Sequence, residues 1–302
     1  MLNLTSALCV LMAAWTVAST AASVPAKVPA SETVLCLKCH AAPGLARPKV
    51  SAHKPPLKRI DPREFAESAH GRYLACTDCH PAHQGEPLPF LPEAQAKLTM
   101  VRTCTRCHAK EGQEFASSIH GKALRGGKPD APACFNCHGE HGIRSPRQAE
   151  STVSPARIPE TCSSCHENTA IQKRYDLPKA RLETYRGSYH GIATRFGQLE
   201  AANCASCHGY HNIQPSSDPS SPINKANLPK TCGKCHAGAT RNFAVGTIHL
   251  QPSPRQEPVV YWVALVYRWF VTVLIAGFCV MIVLDLTARA RTALRSSRQR
   301  GG

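Results

Sequence analysis

Apolar residues are concentrated at the two ends of the 302-residue chain, and the long region between them has few. All three Trp lie outside residues 23–258. Within that region Leu, Ile, Val and Phe together make up about 15% of the residues, below the roughly 20% under which a charged chain is expected to be disordered. The region therefore cannot build a self-sufficient hydrophobic core. Either it is unfolded, or something other than side chains fills its interior.

The cysteine pattern indicates what that filling is. Fourteen of the 16 cysteines form seven C-x-x-C pairs, each followed at once by His. The seven motifs are Cys36/Cys39/His40, Cys76/Cys79/His80, Cys104/Cys107/His108, Cys134/Cys137/His138, Cys162/Cys165/His166, Cys204/Cys207/His208 and Cys232/Cys235/His236. C-x-x-C-H is the attachment signature of c-type haem, in which two thiols bond to one porphyrin and the adjacent His binds the iron. Zinc ribbons, redox C-x-x-C pairs and disulfide scaffolds do not need a His after every second Cys, so we predict seven covalently bound c-type haems.

The motifs after the first are arranged in pairs with one constant spacing. The first cysteines of the paired motifs are Cys76 and Cys104, Cys134 and Cys162, and Cys204 and Cys232. We therefore predict a lone haem motif at 36–40, followed by three two-haem units at 65–108, 115–166 and 185–236. Units this short cannot bury a face alone, so neighbouring units must share an interior, which stacked haems would fill.

Eight histidines lie outside the motifs, and seven of them recur in phase with the repeat. Three stand three residues after the first motif His of a pair, namely His83, His141 and His211. Four follow a Ser or Thr by two residues and an aromatic residue by five or six, namely His70, His120, His190 and His249. The second pattern predicts a short helix that presents a ligand. These seven are the predicted distal ligands of the seven irons, whereas His53 is interpreted as a solvated loop residue.

The spacing within C-H-x-x-H limits which iron each histidine can bind. If the segment is helical, His80 and His83 project from one face about 4.5 Å apart along the axis, so they cannot bind opposite faces of one iron. Methionine is not the general alternative, because Met100 is the only Met outside the terminal apolar segments. Imidazole on both faces of each iron favours low-spin centres without an open position, which indicates electron transfer rather than catalysis.

From Cys36 to His249 the chain resembles the periplasmic multihaem c-type cytochromes with doubled C-x-x-C-H motifs, relatives of the small tri- and tetrahaem cytochromes of anaerobic respiration. The resemblance rests on the seven motifs and the seven paired histidines named above. It implies a mostly irregular fold with short α-helices around stacked haems, bis-histidine ligation and an electron-carrying role. It also implies export, because haem attachment in these proteins is completed outside the bacterial cytoplasm. One haem scaffold serves many pathways, so the resemblance names no redox partner.

The terminal apolar segments predict where the protein lies. Residues 1–22 end in small residues suited to signal-peptide cleavage, although no Lys or Arg precedes the apolar run, so an uncleaved anchor is the alternative. Residues 259–286 are predicted to form one C-terminal transmembrane helix with aromatic residues near its start. The charged residues of 287–302 are all Arg. This tail is therefore predicted to be cytoplasmic and the haem domain, residues 23–258, periplasmic at the inner membrane of a bacterium.

The net charge of +16 could suggest nucleic acid as a partner, but haem changes the balance. Residues 23–258 carry 30 basic and 19 acidic side chains. Seven haems would add fourteen propionates, so much of the excess Lys and Arg is interpreted as compensation of propionate charge. Nucleic acid is not expected as a partner outside the cytoplasm.

The leading functional hypothesis is a membrane-anchored heptahaem cytochrome. It would relay electrons between a membrane quinol-oxidising protein, or the quinone pool, and periplasmic or outer-membrane redox proteins. No His follows His249, so the predicted membrane segment carries no His-ligated b-type haem, and a membrane partner or a quinone site at the bilayer surface is needed. Two alternatives stay open: an enzyme that reduces a small nitrogen or sulfur oxyanion at one haem with a displaceable ligand, and a haem-wiring subunit of a larger respiratory complex.

Overall fold

The structure is a computed structural model that describes residues 31–43, 59–80, 91–243, 248–249, 253–255 and 257–300. Within these ranges the chain consists of short helices and turns, with no β-strand, followed by one long apolar helix. The predicted fold class is therefore confirmed. In chain order the helices are α1 (Ser31–His40), α2 (Pro62–Ala66), α3 (Cys76–Cys79), α4 (Glu93–Thr105), α5 (Ala109–Ser117), α6 (Ile119–Arg125), α7 (Cys134–His138), α8 (Ile158–His166), α9 (Thr169–Tyr175), α10 (Arg181–Gly187), α11 (Tyr189–Arg195), α12 (Cys204–His208), α13 (Leu228–Cys232) and α14 (Pro258–Arg300).

The chain divides into two compact units. The first comprises residues 1–90 and 139–144, and the second comprises residues 91–138 and 145–302. In the first unit the loop 139–144 is fixed to the turn after α2, because Ala69 N donates to Ile143 O at 2.7 Å. The second unit contains α4 to α14. The predicted signal peptide, residues 1–22, lies outside the described residues.

Side chains supply little interior, as the composition predicts. Five of the eight buried apolar residues in the described ranges are alanines. The one hydrophobic cluster found there centres on Leu124, which is fully buried against Ala94 and Ala133, with Phe115 and Phe135 packed around them. A chain of this length would normally bury many Leu, Ile and Val side chains. The shortage leaves room for a large apolar group other than a side chain.

In two of the three two-haem units, the segment between the two motifs contains the same series of hydrogen-bonded turns. From Ser145 to Arg157, backbone N–H groups donate to the carbonyl three residues earlier at every third residue, with N···O distances of 2.9–3.0 Å. The same series recurs from Pro215 to Asn227, in the next two-haem unit. In the first two-haem unit the corresponding stretch contains α4 instead. The two motifs of a unit are therefore joined by a helix in one unit and by turns in the other two, although their spacing in sequence is the same.

In the two C-H-x-x-H segments that the structure describes in full, the helix does not continue past the motif histidine. Helices α7 and α12 both end at the motif His. Gly139 and Gly209 follow with φ of 86° and 84°, in the left-handed region that glycine adopts without a steric cost. His80 ends α3 in an extended conformation. His141 and His211 therefore lie outside the helices that carry the preceding motifs, and the iron that each can bind is decided by the ring positions given below.

Helix α14 is long and apolar enough to cross a membrane. Its stretch Pro258–Thr292 has a mean hydropathy of 2.4 in its most apolar part, and none of that part is buried. About 20 residues of helix span a bilayer core, so this stretch exceeds the minimum length. The predicted span 259–286 lies inside it.

Candidate haem sites

The motif cysteines are all available for covalent attachment. Each of the fourteen lies within the described residues as a free thiol. In α7 and α12 the two cysteines occupy the first and fourth helical positions. Side chains three apart lie on one face of a helix, so both thiols and the following His can approach the same porphyrin.

Three motif cysteines lie at the surface. Cys39, Cys107 and Cys235 are exposed, whereas the other motif thiols are half-buried. Each of the three is the second cysteine of its motif and lies at the end of an element: Cys39 in the last turn of α1, Cys107 in the turn after α4 and Cys235 in the turn after α13. A porphyrin bound there would cover a thiol that side chains leave open to solvent.

A polar residue before the second cysteine fixes the start of three motifs. In α3, Asp78 accepts a hydrogen bond from Ala75 N at 2.7 Å, and in α7, Asn136 accepts one from Ala133 N at 2.8 Å. In α12, Ser206 accepts from Asn203 N at 3.1 Å. These contacts satisfy backbone N–H groups at the helix start, as a capping box does. The sequence interpretation missed them, although a polar residue in this position of the first motif of every two-haem unit was visible.

Two of the three Ser-x-His-Gly segments form helix starts, as predicted. Ser118 is the N-cap of α6 and accepts from Gly121 N at 3.0 Å, which places His120 in the first turn. Ser188 does the same for Gly191 at the start of α11. A Cβ on Gly121 would collide with the carbonyl oxygen of Phe115, so the turn requires glycine. The short-helix prediction is confirmed for His120 and His190, whereas His70 lies in a turn after α2.

The histidine rings form pairs with one repeated geometry. Each pair joins a motif histidine with one from outside the motifs. Five such pairs are His80–His141 at 5.9 Å between ring centroids, His120–His166 at 6.1 Å, His138–His211 at 6.1 Å, His190–His236 at 6.1 Å and His208–His249 at 6.3 Å. His141 thus faces His80 rather than His138, and His211 faces His138 rather than His208. The two histidines of each of these C-H-x-x-H segments belong to different pairs.

The spacing of the pairs fits a metal ion between the rings. Two imidazoles bound to one metal by bonds of about 2.0 Å, with each ring centre about 1.1 Å beyond its nitrogen, have centres about 6.2 Å apart. The observed range of 5.9–6.3 Å includes this value. The cysteines next to one ring of each pair would carry the porphyrin. The residues present therefore fit a c-type haem with an imidazole on each face.

Comparison with known proteins agrees with this geometry. Residues 43–166, which contain four of the seven motifs, match the model of the class III cytochrome c family. This region of the chain is a multihaem c-type cytochrome. Proteins of this class bind c-type haem and transfer electrons, so these two properties hold for the cytochrome. No curated protein and no solved structure matches it.

Burial keeps several of the paired histidines in the form that binds iron. Burial, together with the charge of His166, lowers the pKa of His120 to about 4. Burial, followed by the charges of His249, His166 and Arg181, lowers the pKa of His208 to about 4. Burial also lowers the pKa of His190. These rings are neutral at pH 7, and the neutral imidazole is the metal-binding species.

Cysteines of successive motifs lie beside one another. In three cases the first cysteines of successive motifs lie close enough for one thiol to raise the pKa of the other. Burial, and then Cys36, raises the pKa of Cys76, Cys104 raises that of Cys134, and Cys204 raises that of Cys162. Burial, followed by the charges of Cys162 and Cys165, raises the pKa of the Cys137 thiol to about 11. Cys207 is likewise close enough to Cys232 and Cys235 for their charges to raise its pKa, after the larger effect of burial.

The remaining predicted site residues are distributed over both units. His40 ends α1, His70 follows α2 and His108 follows α4. His83 and the predicted loop residue His53 lie outside the described residues. The assignment of ring partners therefore extends to His80, His138, His166, His208 and His236 among the motif histidines.

Proposed function

We propose that the cytochrome is a membrane-anchored heptahaem electron relay. It carries electrons between a membrane quinol-oxidising system and periplasmic or outer-membrane acceptors. The observation that carries the proposal is the set of five histidine pairs, because imidazole on both faces of an iron leaves no position for a substrate. The seven motif cysteine pairs hold the porphyrins, and the motif histidines are their proximal ligands.

The distal ligands follow a regular assignment. In the second and third two-haem units the His of the C-H-x-x-H segment binds the first haem of the preceding unit: His141 binds the Cys76 haem and His211 binds the Cys134 haem. In the same two units the His of the Ser-x-His segment, His120 or His190, binds the second haem of its own unit. His249 takes the remaining distal position, on the Cys204 haem. The ring spacings support each of these five assignments.

Within each compact unit, electrons pass from haem to haem in the order of the motifs along the chain. In the compact unit that contains α4 to α14 the proximity of the cysteines supports this order. From the Cys104 motif to the Cys204 motif, each motif has a cysteine close enough to affect, or be affected by, the charge of a cysteine in the next motif. In the compact unit that contains residues 1–90, Cys36 is likewise close enough to raise the pKa of Cys76, after the larger effect of burial. Thioether sulfurs at such positions would lie at the edges of neighbouring porphyrins, where electron exchange is fast.

Helix α14 anchors the relay in the inner membrane. Its apolar stretch could span the bilayer, and all the charged residues that follow Asp285 are Arg. Positive-inside orientation then gives a cytoplasmic C-terminus and periplasmic haems. His249 stands nine residues before Pro258, so its haem is the one nearest the membrane in the sequence. Electrons from quinol enter through a membrane partner or at a quinone site on the bilayer surface.

Replacement of one distal ligand tests the assignment. In His211→Ala, one haem in seven should change from low-spin to high-spin in low-temperature EPR of the oxidised protein, and added imidazole should restore the low-spin signal. His53→Ala is the matched control and should leave all signals unchanged. An unchanged spectrum in His211→Ala would show that another group ligates this iron. A high-spin signal in the unmodified protein that shifts with nitrite would favour an oxyanion reductase.

A further inference from the structure

The three Ser-x-His-Gly segments share one more position, six residues before the histidine. This position holds Glu64 before His70, Glu114 before His120 and Thr184 before His190. Each of these residues immediately precedes the aromatic residue of its segment. The first two repeats thus carry a carboxylate where the third carries a hydroxyl.

Glu114 faces the second nitrogen of a paired histidine. Its Oε2 lies 3.5 Å from Nδ1 of His211, the ring opposite His138. Backbone and side-chain hydrogen bonds fix this approach: Ile119 N donates to Ile213 O at 2.8 Å, and Gln214 Nε2 donates to Ser117 O at 2.9 Å. The carboxylate is therefore held against His211 by the end of α5 and is not a chance surface contact.

Thr184 occupies the same place in the third repeat. Its Oγ1 lies 3.0 Å from Nδ1 of His249, the ring opposite His208. The Thr184 hydroxyl donates to Ala180 O at 2.6 Å, so its oxygen accepts from the Nδ1–H of His249. This hydrogen bond leaves Nε2 of His249 as the nitrogen directed at a metal.

Glu64 is placed in the same manner in the first repeat. Its carboxylate packs against Gly142, the residue after His141, and a Cβ at Gly142 would collide with it. Ala69 N donates to Ile143 O, as Ile119 N does to Ile213 O in the next repeat. In the first repeat the same backbone contact thus places the Glu64 carboxylate beside the residue that follows His141.

We propose that these three residues give three haems of the relay different reduction potentials. Glu64 and Glu114 would lower the reduction potentials of the Cys76 and Cys134 haems, whereas Thr184 leaves the Cys204 haem at a higher potential. A carboxylate that accepts from Nδ1–H makes the imidazole a stronger donor and favours ferric iron, and a neutral hydroxyl does so less. The inference rests on the proposed axial pairs. It adds a positioning residue for each of three irons.

Reciprocal substitutions in the matured, full-length protein test the inference. In Glu114→Thr, one-seventh of the haem absorbance should titrate at a higher potential in a spectroelectrochemical reduction. In Thr184→Glu, a different seventh should titrate at a lower potential. Glu111→Gln is the matched control, because it removes the same charge from α5 at a position without a ring contact of this kind. Its potentials should match those of the unmodified protein.

Two results would overturn the inference. One is an unchanged reduction titration in both Glu114→Thr and Thr184→Glu when both variants retain seven haems and show only low-spin EPR signals. This result would leave the axial histidine pairs intact and exclude only the effect on reduction potential. The other is an equal shift in Glu111→Gln and Glu114→Thr, which would make the effect one of overall charge. A high-spin signal in the unmodified protein would instead count against the axial pairs themselves.

Discussion

Ser118 offers a direct test of how the backbone presents a haem ligand. It is fully buried at the junction of α5 and α6, accepts from Gly121 N at 3.0 Å and donates to Phe115 O at 2.6 Å. Ser118→Ala removes the N-cap of α6 and leaves the buried Gly121 N–H without an acceptor. Loss of a cap costs about 1 kcal/mol, and an unsatisfied buried group costs about 1–3 kcal/mol. Because the two effects overlap, we expect a loss of about 2 kcal/mol.

This loss of stability should affect the turn that carries His120. A change of about 2 kcal/mol corresponds to about a 30-fold larger population of the opened turn. Since His120 faces His166, opening should expose one iron to outside ligands. We expect cyanide to bind to one haem of the oxidised protein about 30 times faster in Ser118→Ala, as followed by stopped-flow absorbance in the Soret region.

The neighbouring serine provides the control. Ser117 makes its hydrogen bonds in an exposed setting, and Ser117→Ala should change the free energy of unfolding by no more than about 0.5 kcal/mol. Ser118→Thr keeps the capping oxygen and should restore most of the lost stability. Equal cyanide rates in Ser118→Ala and Ser117→Ala would refute the view that this cap holds the ligand in place.

Three further changes test other parts of the fold. Leu124→Ala empties the centre of the one hydrophobic cluster described, and we expect the free energy of unfolding in guanidinium to fall by about 3–5 kcal/mol. Gly191→Ala sets a Cβ against the carbonyl oxygen of Tyr185, so it should destabilise the protein by more than about 1 kcal/mol in the same assay, whereas an equal change at Gly187, which has open space, should be milder. Deletion of residues 258–302 should release a red, haem-loaded protein into the soluble fraction of cell lysates. Retention in the membrane pellet would contradict an anchor in α14.

The fold class could be predicted because chemistry, rather than hydrophobic periodicity, dominates this sequence. Seven C-x-x-C-H motifs with so few apolar residues between them leave haem as the remaining source of an interior. The Ser-x-His-Gly pattern predicted helix starts because Ser is a preferred N-cap, and α6 and α11 begin at that residue.

Ring partners could not be predicted, because they depend on contacts between distant parts of the chain. His80 and His141 come from the first and second two-haem units, and His138 and His211 come from the second and third. The left-handed turns after His138 and His208 also escaped prediction, since a helix was assumed to continue past the motif histidine. The partners of Nδ1 were hidden for the same reason, although the residues that supply them stand in equivalent positions of the repeat.

Mass spectrometry combined with low-temperature EPR of one purified sample tests the central claim most directly. The account predicts a mass that includes seven covalently attached haems and a ferric spectrum that contains only low-spin, bis-histidine signals. A mass with fewer haems, or a high-spin ferric signal in the unmodified protein, would contradict it.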